Sequence, residues 1–179
     1  MNQEYRIKGS SIRCKLDFVR ERYGAEAEQA LRNRFDRKLF PILDSSWYPF
    51  SFYEALVKAI VDEHLGGDMT RLREVGVYSA EKVLTSVYKL FTVGQDFVGF
   101  LKRAEALHGT CYNQGGMKVA IAEDRKSCQI HLTAPTFAEA DLHIAAGFYS
   151  GAGKLLGEHN VSCTFVHSHD GAHFQLRWT

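Results

Sequence analysis

Between Met117 and Trp178 the repeat of apolar residues shortens from about 3.6 positions to 2, and no other feature restricts the fold as strongly. Met117-Lys-Val-Ala-Ile-Ala122 and Ser127-Cys-Gln-Ile-His-Leu-Thr133 alternate as half-buried strands do, and the polar Glu123-Asp-Arg-Lys126 joins them as a hairpin loop. Ser162–His167 and His173–Trp178 form a second pair, turned at Ser168-His-Asp-Gly171, where Asp-Gly is a strong turn signal. Between the pairs, Thr136-Phe-Ala-Glu139 reads as a capping box after Pro135. It opens a helix carrying Leu142, Ala145, Phe148, Tyr149, Ala152, Leu155 and Leu156, which closes at Gly157. Gly147 and Gly151 share a face of that helix, a smooth strip suited to close approach of a sheet or a second helix. The predicted class is α+β: N-terminal helices packed on a C-terminal antiparallel sheet with ββαββ order.

Upstream the period is helical. Residues 11–38 carry Leu16, Val19, Tyr23, Ala27, Ala30 and Leu31 at spacings of three and four, with Gly24 as a break. Pro41 to Pro49 reads as a linker. Ser51-Phe-Tyr-Glu54 is a second capping box, and its helix ends at Gly66-Gly67. A region opened by Asp68 or Thr70 runs to about Phe91 with Leu72, Val75, Ser79, Val83, Val87 and Leu90 as its buried stripe. Asp96 caps a helix carrying Phe100, Leu101, Ala104 and Leu107, ended by His108-Gly109. The whole chain, 1–179, is expected to form one domain, helical over about 11–109 and ββαββ over about 117–178.

Charge excludes one class of partner. Lys and Arg number 22 against 21 Asp and Glu, so nothing favours a nucleic acid, which needs a concentrated basic face. From Lys15 to Arg37 bases and acids interleave, the pattern of a solvated helix face. No apolar run reaches the roughly 18 to 20 residues of a membrane span, and Met1-Asn-Gln-Glu-Tyr5 lacks the form of a signal peptide. Cys14, Cys111, Cys128 and Cys163 form no CxxC pair and read as reduced, buried thiols. A cytoplasmic location is the expectation.

Enzyme signatures such as GxSxG, a P-loop or HExxH do not occur, which points to a non-enzymatic role. His167, His169, Asp170 and His173 form the densest group of metal-ligand types. If a hairpin brought His167, His169 and His173 together they would suit zinc, with ordinary turn chemistry as the alternative. Cys163 shares a strand face with His167 but stands too far along it to join one ion.

Lys8-Gly9, Trp47-Tyr48-Pro49-Phe50 entering a helix, Gly115-Gly116, and the helix Gly147–Gly157 leading to a hairpin that ends in Trp178 together resemble a bacterial paralogous family related to the 4-vinyl reductase domain. The resemblance implies the fold of that domain, of the heme nitric-oxide/oxygen-binding domain and of the Bet-family TRAPP subunits, often built around a hydrophobic cavity. It implies small-molecule sensing or assembly, with a homodimer or another protein as partner and an apolar small molecule as ligand. Trp47, Phe50, Phe52, Tyr53, Phe100, Leu107, Phe148 and Tyr149 are the expected cavity lining. The segment Phe100–His108 resembles the helix that presents the proximal histidine in heme-binding relatives, making His108 the heme candidate. Those relatives hold the propionates with a Tyr-x-Ser-x-Arg motif, which has no match here: Tyr149-Ser150 runs into Gly-Ala-Gly-Lys154. Cys111 resembles the acylated cysteine of TRAPP subunits. No cofactor is the first expectation, with heme and zinc as the alternatives.

Overall fold

The computed structural model describes residues 4–136, 138–168 and 171–179. In chain order these form β1 (Arg6–Lys8), α1 (Gly9–Tyr23), α2 (Ala25–Arg32), β2 (Trp47–Pro49), α3 (Phe50–His64), α4 (Leu72–Leu84), α5 (Phe97–Cys111), β3 (Gly116–Ile121), β4 (Ser127–Thr133), α6 (Glu139–Leu155), β5 (Ser162–Ser168) and β6 (Gly171–Arg177). Helices therefore precede an antiparallel sheet of order β3-β4-β6-β5, with α6 inserted between its two hairpins. The ββαββ reading holds.

Differences from expectation have local causes. Trp47-Tyr48-Pro49, read as linker, is a strand paired with β1, placing Ile7 opposite Tyr48. Neither capping box caps its helix. α3 starts one residue before Ser51, after Pro49, and α6 starts at Glu139 after Ala138, with no side-chain cap at either. Phe137 lies outside the described residues. α4 stops at Leu84, so Val87 and Leu90 are exposed rather than buried, Leu90 to 83%. α5 continues past His108-Gly109 to Cys111. Gly24 does divide the first helical stretch, because its φ of +99° is one that other residues rarely adopt.

Two hydrophobic cores result. One lies among the first helices around Ile12, Leu16, Leu56 and Ile60; the other lies between sheet and helices around Phe97, Phe100, Phe174 and Leu176. α6 serves both, with Ile144 in the first and Leu142, Ala146 and Tyr149 in the second. A helix shared in this way must be apolar on most sides.

α6 is positioned by its glycines. A Cβ on Gly147 would run into the Arg73 carbonyl, and one on Gly151 would stand 2.9 Å from Val77 Cα. Gly76 of α4 faces Ile144 and Phe148 backbone from the other side; a Cβ there would be 2.7 Å from Phe148 N. The smooth face thus seats α6 against α4, backbone to backbone.

Candidate functional site

A cavity of about 120 Å3 lies in the seam between the two cores. Three helices each turn one face toward it at the spacing that a helical face requires. α6 supplies Asp141, Ile144, Ala145, Phe148 and Tyr149. From α5 come Ala104, Leu107, His108 and Cys111, and from α1 Ser11, Cys14 and Lys15. Tyr53, Ser79 and Tyr88 add polar groups, and Met117 and Leu132 close the sheet side.

The wall divides into a polar and an apolar part. Lys15 is 4% exposed; its Nζ donates to Ser79 Oγ at 3.2 Å and lies 5.7 Å from the centre of the Tyr53 ring. Ser79 in turn donates to the Val75 carbonyl at 2.7 Å. Burial pushes the Lys15 ammonium below its usual range, since a charge loses solvation there. Asp141 is part-exposed as a residue, yet both carboxylate oxygens are covered and neither has a hydrogen-bond partner, Lys15 included. The Ala138 backbone N–H and the Tyr53 hydroxyl both favour its charged form, though neither closes a bond of normal geometry. Burial, and next the charge of Glu54, push the Asp141 carboxyl up to about 7.

His108 shares the wall. Its ring stacks on Tyr112 at 4.7 Å, Nε2 is buried without a partner, and burial holds its pKa down to about 4. It is therefore a neutral imidazole. Across the cavity Tyr149 donates to Met117 Sδ at 3.6 Å, and Tyr88 shares a 3.0 Å hydrogen bond with Ser10.

Of the expected lining residues, Tyr53, Leu107, Phe148 and Tyr149 stand in the wall. Trp47, Phe50, Phe52 and Phe100 do not. Trp47 is at the surface under Lys8 Nζ, 4.0 Å from its ring centre; Phe50 stacks on Tyr5 at 4.3 Å; Phe52 meets Phe35 edge to face; and Phe100 stacks on Phe97 in the sheet-side core. They build structure around the seam.

The hairpin does not bring its histidines together. His167 pairs with Ala172, while His173 pairs with Val166 and His131. Cross-strand partners share a face, so His167 and His173 point to opposite sides of the sheet. His169 lies outside the described residues. Among the described residues no group of three metal-ligand types converges. His131 and His173 stack in parallel instead, 4.3 Å apart. All four cysteines are free thiols; Cys14, Cys128 and Cys163 are buried, and Cys111 is partly so.

Two site residues escape the sequence reading. Lys15 sits in the acid-base mixture taken as a solvated face, yet the row Ile12, Lys15, Leu16, Val19 is one helical stripe, and the other three members are fully buried. Asp141 likewise falls in register with Ile144, Ala145 and Phe148. A charge inside an apolar stripe was the available signal.

No protein-family model matches this chain, and no curated protein does. Solved structures do. An H-NOX protein from S. oneidensis in its Fe(II)NO ligation state superposes with a TM-score of 0.77 at 12% identity, covering 97% of this chain and 99% of that one. The Fe(II) unliganded H-NOX protein from K. algicida gives 0.69 at 14% identity, covering 97% of each. At such identities the likeness concerns fold, and the chain has the H-NOX fold.

Proposed function

We propose that this chain is a non-enzymatic ligand-binding module of the sensing class, acting through protein–protein contacts in bacterial signalling. The observation that carries the reading is the seam cavity, whose wall is drawn from α1, α3, α4, α5, α6 and two strands. A molecule bound there touches both halves, so its occupancy biases their relative packing. An output surface stands close by. Tyr88 reaches the cavity, while Val87, Leu90 and Val93 of the same segment are exposed. Isolated apolar residues are common on surfaces, but three on one short segment favour a partner contact. The kinship with the 4-vinyl reductase domain and the Bet-family TRAPP subunits is proposed on the same fold.

Heme does not fit these residues. The unpartnered Nε2 of His108 would suit an iron ligand, but it is the one point of agreement. At about 120 Å3 the cavity falls below the roughly 300–1,000 Å3 of sites for drug-sized ligands, and a heme needs more than that lower bound. Lys15 and Asp141 occupy the wall, and no Tyr-x-Ser-x-Arg motif offers a propionate clamp. Heme added to the purified protein is expected to give no Soret band.

Native mass spectrometry of the full chain tests the proposal. The expected result is a small-molecule adduct that denaturation releases. A bare chain or bare dimer alone would overturn the reading and favour a ligand-free assembly role.

A further inference from the structure

We infer that the seam cavity takes a small monocarboxylate, whose carboxylate lies between Lys15 and Asp141 and whose short apolar tail lies along Leu107, Ala145 and Phe148. The inference rests on the ligand-binding reading above and narrows its ligand class. Lys15 supplies the first argument. Its ammonium is buried with one side-chain acceptor, Ser79 Oγ at 3.2 Å, and an ammonium has three donors to satisfy. A buried cation needs an anion or several polar partners, and no Asp or Glu oxygen pairs with it among the described residues. Asp141 supplies the second. Its two oxygens are covered, close no hydrogen bond of normal geometry although Ala138 N–H and the Tyr53 hydroxyl lie near, and stand in the same wall, where the attraction of Lys15 reaches them without contact. The cavity that both groups line is where a third polar group would meet them.

The protonation states choose among ligands. Asp141 holds its proton until about pH 7, and the protonated acid is a donor. An ammonium and a carboxylic acid lining one cavity both donate, so they select an acceptor with negative charge and repel an amine. Other titratable groups nearby leave this assignment unchanged. Cys14 and Cys111 are pushed up by burial, as are the hydroxyls of Tyr5, Tyr53 and Tyr112, so they stay neutral near pH 7. His108 is neutral above about 4, and Glu54 opposes ionisation of Asp141. Each anion bound therefore arrives with one proton retained at Asp141.

Size sets the tail. An apolar cavity of about 150 Å3 admits benzene, so this one accommodates about six non-hydrogen atoms. Butyrate has that size and is the probe.

Calorimetric titration of the full chain with butyrate, n-butylamine and n-butanol at about pH 6, 7 and 8 tests the inference. Butyrate is expected to bind, the amine not at all, and the alcohol more weakly. Butyrate affinity should fall about tenfold per pH unit above 7, as the proton leaves Asp141. Lys15→Met should weaken butyrate by about tenfold to a hundredfold, the scale of a lost charge-assisted hydrogen bond. Asp141→Asn keeps a donor and should bind butyrate with a flattened pH profile. Equal binding to wild type and Lys15→Met overturns the inference. If butyrate fails while native mass spectrometry shows another retained molecule, the carboxylate assignment falls and the ligand-binding reading stands. If neither is seen, both fall.

Discussion

Along α6, the row Gly147 and Gly151 lies so close to α4 that a single methyl at Gly147 would strike the Arg73 carbonyl. The adjoining row Asp141, Ala145, Phe148 and Tyr149 leaves a cavity of about 120 Å3 holding a buried lysine and an unpartnered carboxyl. One helix thus carries backbone-to-backbone packing on one row and a partly polar cavity on the next. The first row fixes where α6 lies, and that fixed position is what allows the second row to stay open. A cavity floored by uncompensated polar groups lowers stability, and such sites are kept where function uses them.

The largest predicted effect is on the tight row. Gly147→Val should destabilise by at least about 3 kcal/mol in urea unfolding, because backbone atoms of α4 cannot move aside. Gly147→Ala sharpens the test. Helix propensity alone would make it about 1 kcal/mol more stable, whereas the close approach predicts a loss; a gain would show that the row is not tight.

The next effect belongs to the open row and appears against pH. Burial raises the Asp141 carboxyl from 3.8 to about 7, so its contribution to stability is full below 3.8 and is lost as pH rises through about 7. Burial lowers His108 from 6.5 to about 4, so its contribution is full above 6.5 and is lost as pH falls through about 4. Between about 4 and 6.5 the two slopes oppose each other, and the wild-type profile should be nearly flat. Asp141→Asn uncovers the histidine: stability should rise by about 3 kcal/mol across that window. A flat profile in the variant would contradict the neutral His108.

A smaller effect concerns Lys15. Lys15→Met removes a buried charge that lacks an anionic partner and should stabilise the ligand-free protein by about 1 kcal/mol or more at neutral pH. Destabilisation on thermal unfolding would mean that the ammonium is better satisfied than its contacts show. The smallest change is expected at the exposed surface. Leu90→Ser, at a residue 83% exposed, should stay within about 0.5 kcal/mol by urea unfolding. A larger loss would mean that a second molecule covers it.

The ββαββ order was legible because strands announce themselves by alternation, and the glycine strip because two small residues four apart can lie only on one helix face. Which partner that strip meets depends on Gly76, far away in sequence. The site was less legible for a different reason. Tyr53, Leu107, Phe148 and Tyr149 were recoverable as large apolar residues on helix faces. Phe50, Phe52 and Phe100 have the same signature and are core, since an aromatic ring looks alike in sequence whether a void lies beside it or not. Lys15 and Asp141 were hidden by the habit of treating charges as solvated. The histidine hairpin failed on strand parity, which places neighbouring positions on opposite faces.

The small ribbon of β1 and β2 has a consequence for how the chain is made. Arg6 N–H donates to Asn113 Oδ1, 107 positions later, and Ile7 bridges to Tyr112. During synthesis from the amino end, the first helices emerge long before the residues that fasten them. Those helices can bury their apolar faces against one another first, whereas the amino-terminal strand is fastened only once Tyr112 and Asn113 have left the ribosome.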